Sequence, residues 1–106
     1  MDQETLKRRI HLALELLGET VTDVIAALRF LGIRGIPCTA GHCPLARYLS
    51  QVGPDPDRMF TVSDESVMSW CIGYFNVVSV PTTKAMKAFM IRFDAGGMRD
   101  LREYAA

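Results

Sequence analysis

Two cysteines and a histidine lie within six consecutive positions of the segment GIPCTAGHCPLARYL, residues 35–49. Thiolate and imidazole groups at such a spacing are ligands that zinc prefers, and a single activated thiolate can also act as a nucleophile. The chain has one further cysteine, at position 71. The metal hypothesis therefore has four candidate ligands: Cys38, His42, Cys43 and Cys71.

The spacing of these residues argues against a metal site. A structural zinc site typically combines two close pairs of ligands. Cys38 and Cys43 make an acceptable first pair, but Cys71 has no second ligand beside it. His42 and Cys43 are adjacent, so their side chains cannot easily face the same ion. All four candidates are therefore rejected as metal ligands, and we expect no cofactor.

Cys43 is also a candidate reactive thiol, because Pro44 after it is typical of the first residue of a helix. A thiol at a helix N-terminus meets unpaired amides and the positive end of the helix dipole, which stabilise the thiolate. His42 and Arg47 are close in sequence and add to this effect. No second residue stands out as a catalytic base. We therefore interpret His42, Cys43, Pro44 and Arg47 chiefly as a helix-start motif, and we expect no enzymatic activity.

The composition is that of one small globular domain, residues 1–106, with 49% hydrophobic residues and equal numbers of basic and acidic side chains. Balanced charge gives no general attraction to nucleic acid or anionic lipid, and its weak repulsion favours self-association. No apolar run reaches the roughly 20 residues that a membrane-spanning helix needs. The polar N-terminus and the odd number of cysteines do not fit a secreted disulfide framework. We expect a cytoplasmic protein without membrane association.

Helical periodicity of apolar residues predicts three helices in the first half of the chain, over 4–17, 20–32 and 43–52. The first two are joined by a very short break and are expected to pack as a helical hairpin. Leu12 and Leu16 lie beside the core stripe of the first helix, so its apolar face is unusually wide. The predicted core positions are Leu6, Ile10, Ala13, Leu14, Leu17, Val24, Ala27, Leu28, Leu31, Leu45, Tyr48, Leu49 and Val52.

The second half of the chain predicts a small antiparallel sheet and a last helix. Valine, aromatic and serine residues between 58 and 80 are typical of two or three strands, with Ser63–Ser66 as a hairpin turn. Pro81 is predicted in the first turn of the last helix. The polar segment 99–106 is predicted to be a frayed turn or a tail. Four methionines are assigned to the core: Met59, Met68, Met86 and Met90.

The predicted order of elements is α-α-α-β-β-(β)-α. This order indicates an α+β domain, with a helical hairpin, a short third helix, a sheet of two or three strands and a C-terminal helix. The helices are expected to cover one face of the sheet.

Three motifs resemble those of a small domain type common in actinobacteria and their phages. They are the GIRG exit from the second helix, the CPLARYL start of the third and the FMIRFDAG end of the last, and the resemblance spans residues 27–97. The matching positions are Gly32, Gly35, Cys43, Pro44, Leu45, Ala46, Tyr48, Leu49, Phe89, Phe93, Asp94, Ala95 and Gly96. That domain type has no established activity, so the resemblance implies no catalytic residue. It sets Cys43 apart from Cys38 and Cys71, which lie outside the motifs.

These observations favour a non-catalytic regulatory or interaction domain that binds a protein partner or self-associates, for example as a homodimer. One alternative is a winged-helix-like DNA-binding regulator, since three helices followed by a hairpin is the required order. Its third helix would offer few contacts (Arg47, Ser50 and Gln51), and its wing would be acidic, so nucleic acid is not the expected partner. A second alternative is a thiol enzyme or redox switch that uses Cys43.

Overall fold

The computed structural model describes residues 2–53, 58–71 and 74–103, apart from the side chains at 71 and 74–76. In this part of the chain, four α-helices and three strands follow the order α-α-α-β-β-β-α, which confirms the predicted α+β class. The elements are α1 (Gln3–Glu15), α2 (Val21–Leu31), α3 (Pro44–Val52), β1 (Arg58–Val62), β2 (Ser66–Cys71), β3 (Tyr74–Pro81), α4 (Lys84–Asp94) and a 3-10 turn, η1 (Arg99–Leu101).

Side-chain caps determine where the first two helices begin and end. The Asp2 carboxylate accepts a hydrogen bond from the Thr5 amide (2.7 Å) at the start of α1. At the start of α2, Thr20 and Asp23 form a reciprocal capping box, which satisfies two amides that a helix leaves unpaired. Gly32 ends α2 with a left-handed backbone (φ 68°), a conformation that glycine adopts without steric cost.

The three strands form one antiparallel sheet in the order β1-β2-β3. Ser63 closes the predicted hairpin turn, because its amide donates to the Ser66 carbonyl (2.9 Å). Alternate residues of the strands point into the core, as a half-buried sheet requires. The inward-facing residues are Phe60, Val62, Val67, Ser69, Val78 and Val80.

The outer face of the sheet corrects the assignment of the methionines. Met59 and Met68 are nearly half exposed, because each alternates along its strand with an inward-facing residue. Val77 is exposed to a similar extent. Met86 is fully buried and Met90 packs against the core, so the prediction holds for the two methionines of α4 and is wrong for the two in strands.

Helices α1 and α3 cover the inner face of the sheet, with α1 against β3 and α3 against β1, while α2 packs against α4. The first two helices follow each other closely in sequence, as predicted, but the mutual packing expected of a helical hairpin is not the main contact of either helix. In α4, the rings of Phe89 and Phe93 stack with centroids 5.7 Å apart. Most predicted core positions are buried, but Leu31 and Val52 are nearly half exposed, so their assignment to the core was wrong.

The last helix begins later than predicted. Pro81 is the final residue of β3, where it lies opposite Ser66, and the edge position of this strand tolerates a residue without an amide. Thr83 is the actual cap of α4, since its hydroxyl accepts from the Met86 amide (3.2 Å). The prediction that Pro81 lies in the first helical turn is therefore wrong.

The C-terminal segment is packed against the domain as far as Glu103, and residues 104–106 lie outside the described part of the chain. Leu101 is buried, and its carbonyl accepts from the Gly35 amide (2.8 Å). The Glu103 amide donates to the Gly35 carbonyl (2.8 Å). Arg29 of α2 makes a bidentate ion pair with Asp100 (2.6 and 3.0 Å). These contacts distinguish residues 99–103 from a free tail.

Candidate functional site

The cysteine- and histidine-containing segment is an irregular loop, residues 33–43, that other elements hold in place. The Val62 amide at the end of β1 donates to the Ala40 carbonyl (2.9 Å). The Asp94 carboxylate at the end of α4 accepts from the Cys38 amide (2.9 Å). This last contact stabilises a left-handed backbone at Cys38 (φ 60°), which is costly for a residue other than glycine.

The loop ends in a defined helix start. Cys43 is the N-cap of α3, and its sulfur accepts a hydrogen bond from the Ala46 amide (3.4 Å). Pro44 is the first helical residue, where its missing amide leaves no bond unmade. A Cβ atom on Gly35 would lie 2.3 Å from the Pro44 nitrogen, so only glycine fits there. The GIRG and CPLA segments are thus in direct contact.

The two basic residues of the helix-start motif do not combine with the thiol. The half-buried Arg47 guanidinium donates to the Arg34 carbonyl (3.0 Å) and pairs with the Glu103 carboxylate. Arg47 therefore joins α3 to the loop and to the C-terminal segment. His42 is exposed, and its backbone carbonyl accepts from the Ile36 amide (2.8 Å).

The environment of Cys43 does not favour the thiolate. The residue is only 4% exposed, and this burial raises the pKa of the Cys43 thiol, which outweighs the opposing effect of the amides of Ala46 and Leu45. The Asp94 carboxylate raises the pKa of Cys43 further. These effects favour the protonated form of the Cys43 thiol over the thiolate. A cavity of about 490 Å³ lies beside the thiol and is lined by Cys38, Met90 and Asp94 among others.

The candidate metal ligands do not form a cluster in the part of the chain that the structure describes. No group of three or more His, Cys, Asp or Glu residues is placed there to hold a metal ion. The side chain of Cys71 lies outside the described part.

A different surface feature is an apolar groove of about 330 Å³ between α1 and α3, hereafter the α1–α3 groove. Leu12 of α1, Leu16 at the C-cap of α1 and Val52 of α3 line it and are 52%, 81% and 46% exposed. The buried side chains of Leu49 and Phe60 also line the groove. Leu12 and Leu16 were expected from the width of the apolar face of the first helix, whereas Val52 was assigned to the core.

The walls of the groove are joined to each other. The buried Tyr48 of α3 donates its hydroxyl hydrogen to the Ala13 carbonyl of α1 (2.6 Å). Burial raises the pKa of the Tyr48 phenol, so this donor remains protonated in neutral solution. At the end of α3, a Cβ on Gly53 would lie 2.5 Å from the Leu49 carbonyl oxygen and 3.2 Å from the Phe60 ring. The groove is thus a preformed feature of two packed helices.

Charged residues of both signs lie on α1. Glu4 lies in its first turn, Arg8 and Arg9 lie at its middle, Glu15 is its last residue, and Glu19 lies four residues beyond its end, after Gly18 (φ 105°). Arg9 is also part of the groove lining. Glu15 pairs with His11 (2.8 Å), but within the described part of the chain Arg8, Arg9 and Glu19 form no salt bridge.

No family model, no curated protein and no solved structure matches this chain. Among the described helices, none combines the length and the apolar character needed to cross a bilayer.

Proposed function

We propose that this chain is a small non-catalytic interaction domain that binds an amphipathic helix of a protein in its α1–α3 groove. The observation that carries the proposal is the exposure of Leu12, Leu16 and Val52 along one preformed groove. Contiguous apolar surface with a charged rim is typical of protein-binding sites, whereas single exposed apolar residues need no explanation.

The shape of the groove favours a helix as its occupant. Leu12 and Leu16 are one helical turn apart, so they form a ridge beside the depression between α1 and α3. A third helix packs against such a surface when its own apolar residues recur at i, i+3 or i+4. Arg9 at the groove adds a preference for an acidic residue on the incoming helix.

The environment of Cys43 supports a binding role over a thiol enzyme or redox switch. Its sulfur is buried, accepts a backbone hydrogen bond as a helix cap, and has a raised pKa. The Arg47 guanidinium contacts the Arg34 carbonyl and the Glu103 carboxylate, so it does not stabilise a thiolate at Cys43. The free thiols of Cys38 and Cys43 and the odd cysteine number fit our proposal of a cytoplasmic, regulatory protein.

The position of α3 gives little support to a winged-helix DNA-binding function. A recognition helix presents the residues of its first turns to the major groove. The first two turns of α3 are instead mostly buried: Pro44, Leu45, Ala46, Tyr48 and Leu49. The hairpin turn that would serve as the wing carries Asp64 and Glu65, whose charge opposes contact with phosphate.

Photo-cross-linking tests the proposed binding face. A photoreactive amino acid at Leu16 should give a discrete adduct in cells that express the chain, and the additional change Val52→Glu should abolish it. The same photoreactive group at Phe30, an exposed position on α2 outside the groove, is the matched control. Absence of an adduct from position 16, or the same adduct from position 30, would contradict a binding function for the groove.

A further inference from the structure

We infer that the surface around η1 binds an acidic segment of a partner protein through a cluster of four arginines, hereafter the arginine patch. Its members are Arg29, Arg34, Arg99 and Arg102. They come from three separate parts of the chain, which are the last turn of α2, the loop before α3, and the segment of η1 and its C-cap. None of these arginines lines the α1–α3 groove, so the patch is a second, independent surface.

Contacts around Asp100 bring the four arginines together. The Asp100 carboxylate accepts two hydrogen bonds from the Arg29 guanidinium (2.6 and 3.0 Å), and Arg99 precedes Asp100 in η1. The pKa of Asp100 is lowered by Arg29 and, less strongly, by the charge of Arg34. Arg29, Arg34 and Asp100 also line one cavity of about 320 Å³. Arg102 forms a parallel β-bridge with the residue that follows Arg34, so it lies beside the other three.

The positive charge of the patch is only partly balanced within the chain. Arg29 pairs with Asp100, whereas Arg34, Arg99 and Arg102 form no salt bridge in the part of the chain that the structure describes. Arg34 and Arg99 are exposed. Arg102 is partly buried, and its Nε atom has no hydrogen-bond partner among the described residues. Four like charges around one carboxylate repel one another, so an acidic ligand stabilises this arrangement.

The chemistry of the patch favours carboxylates as ligands. All four basic residues are arginines, and the lysines of the chain lie in α1 and in the first turn of α4. A guanidinium group presents a planar fork of donors that binds a carboxylate with two parallel hydrogen bonds, as Arg29 does with Asp100. Nucleic acid is less suitable, because Asp100 lies among the arginines and Glu103 beside them, and these carboxylates repel a continuous row of phosphates. The ligand is therefore a run of aspartate or glutamate side chains.

Fluorescence anisotropy of a short labelled peptide of alternating glutamate and serine measures this binding on the whole chain. We expect saturable binding at low ionic strength that weakens as salt is added, because salt screens surface charges. Arg34→Glu combined with Arg99→Glu should raise the Kd about tenfold, because two attractive charges become repulsive. Neither side chain makes a hydrogen bond or salt bridge in the described structure, so this double variant should keep the wild-type melting curve.

Two controls separate the patch from other sources of binding. Lys84→Glu combined with Lys87→Glu makes the same change in net charge at exposed sites at the start of α4, and it should leave the Kd within about twofold of the wild-type value. An oligothymidylate with the same number of negative charges should bind more weakly than the peptide. Equal loss of binding in both double variants, no binding of the peptide to the wild-type chain, or tighter binding of the oligonucleotide would each overturn the inference.

Discussion

Replacement of Leu101 by alanine tests whether the C-terminal segment is an integral part of the fold. Leu101 is 2% exposed and belongs to the same buried cluster as the core residues of the helices and strands. Its backbone carbonyl accepts a hydrogen bond from Gly35, in the loop that leads to α3. Loss of the side chain should therefore affect both the core and the support of the helix start.

The expected cost follows from burial. A fully buried leucine replaced by alanine loses transfer free energy and leaves a cavity, for about 2–5 kcal/mol. The Arg29–Asp100 ion pair and the hydrogen bonds of Gly35 hold the backbone on both sides of the site, so the cavity cannot collapse fully. We therefore expect a loss of about 3 kcal/mol in the free energy of unfolding. For a domain of this size, such a loss lowers Tm by about 12–24 °C.

Urea denaturation followed by circular dichroism measures this free energy at a dilute protein concentration. Phe30→Ala is the control, because Phe30 is exposed on α2 and its loss should change stability by about 0.5 kcal/mol or less. An unchanged m value would show that the same surface is exposed on unfolding. A Leu101→Ala variant as stable as Phe30→Ala would refute the packing of the C-terminal segment against the core.

Three further predictions concern the buried cap, the sheet and the ion pair. Cys43→Ser should change the free energy of unfolding by no more than about 1–2 kcal/mol, because serine is itself a good N-cap; a folded variant that binds no partner would show that the thiol has a functional role. Ser69→Ala should be neutral or stabilising by about 1 kcal/mol in urea denaturation, because in the described structure the buried Ser69 hydroxyl has no hydrogen-bond partner; a clear loss of stability would mean that the hydroxyl is satisfied. The Arg29 guanidinium lowers the pKa of Asp100 below its ordinary value of 3.8, so this contribution to stability is complete above that value and is lost as the pH falls through the lower pKa of the folded state. Asp100→Asn should therefore make the acid denaturation curve less steep below pH 3.8, and a curve with the wild-type slope would contradict this assignment.

Features that depend on local sequence were predictable. The second helix was predicted over 20–32, and its caps are Thr20 and Gly32, each of which acts on backbone groups within a few positions of itself. The hairpin at Ser63–Ser66 was predicted for the same reason. Cys43 and Pro44 were identified as a helix start because proline fits the first turn of a helix. The same reasoning was wrong for Pro81, because proline also fits the edge strand in which it lies.

Features that depend on tertiary contacts were not predictable by the same means. Met59 and Met68 were assigned to the core by residue type, whereas the alternation of their strands places them outside. Leu101 is flanked by charged residues on both sides over 99–103, so no periodicity marks it as buried. The contact between Cys38 and Asp94 joins positions 56 residues apart, which only the assembled fold brings together.

The binding surface was predicted in part. The excess width of the apolar face of α1 identified Leu12 and Leu16, because a helix has a fixed angular period. The exposure of Val52 depends on the position of the end of α3 relative to α1 and β1. This tertiary position cannot be predicted from the sequence of α3 alone. The groove itself forms between α1 and α3, so it depends on the packing of two helices that are distant in sequence.

Photo-cross-linking in cells from positions 12, 52 and 59 tests the central claim, that the α1–α3 groove is the binding surface of this domain. We predict protein adducts from positions 12 and 52, because these exposed side chains line opposite walls of the groove. Position 59, which is equally exposed on the outer face of the sheet, should give none. Adducts from position 59 alone, with none from the two groove positions, would contradict the claim.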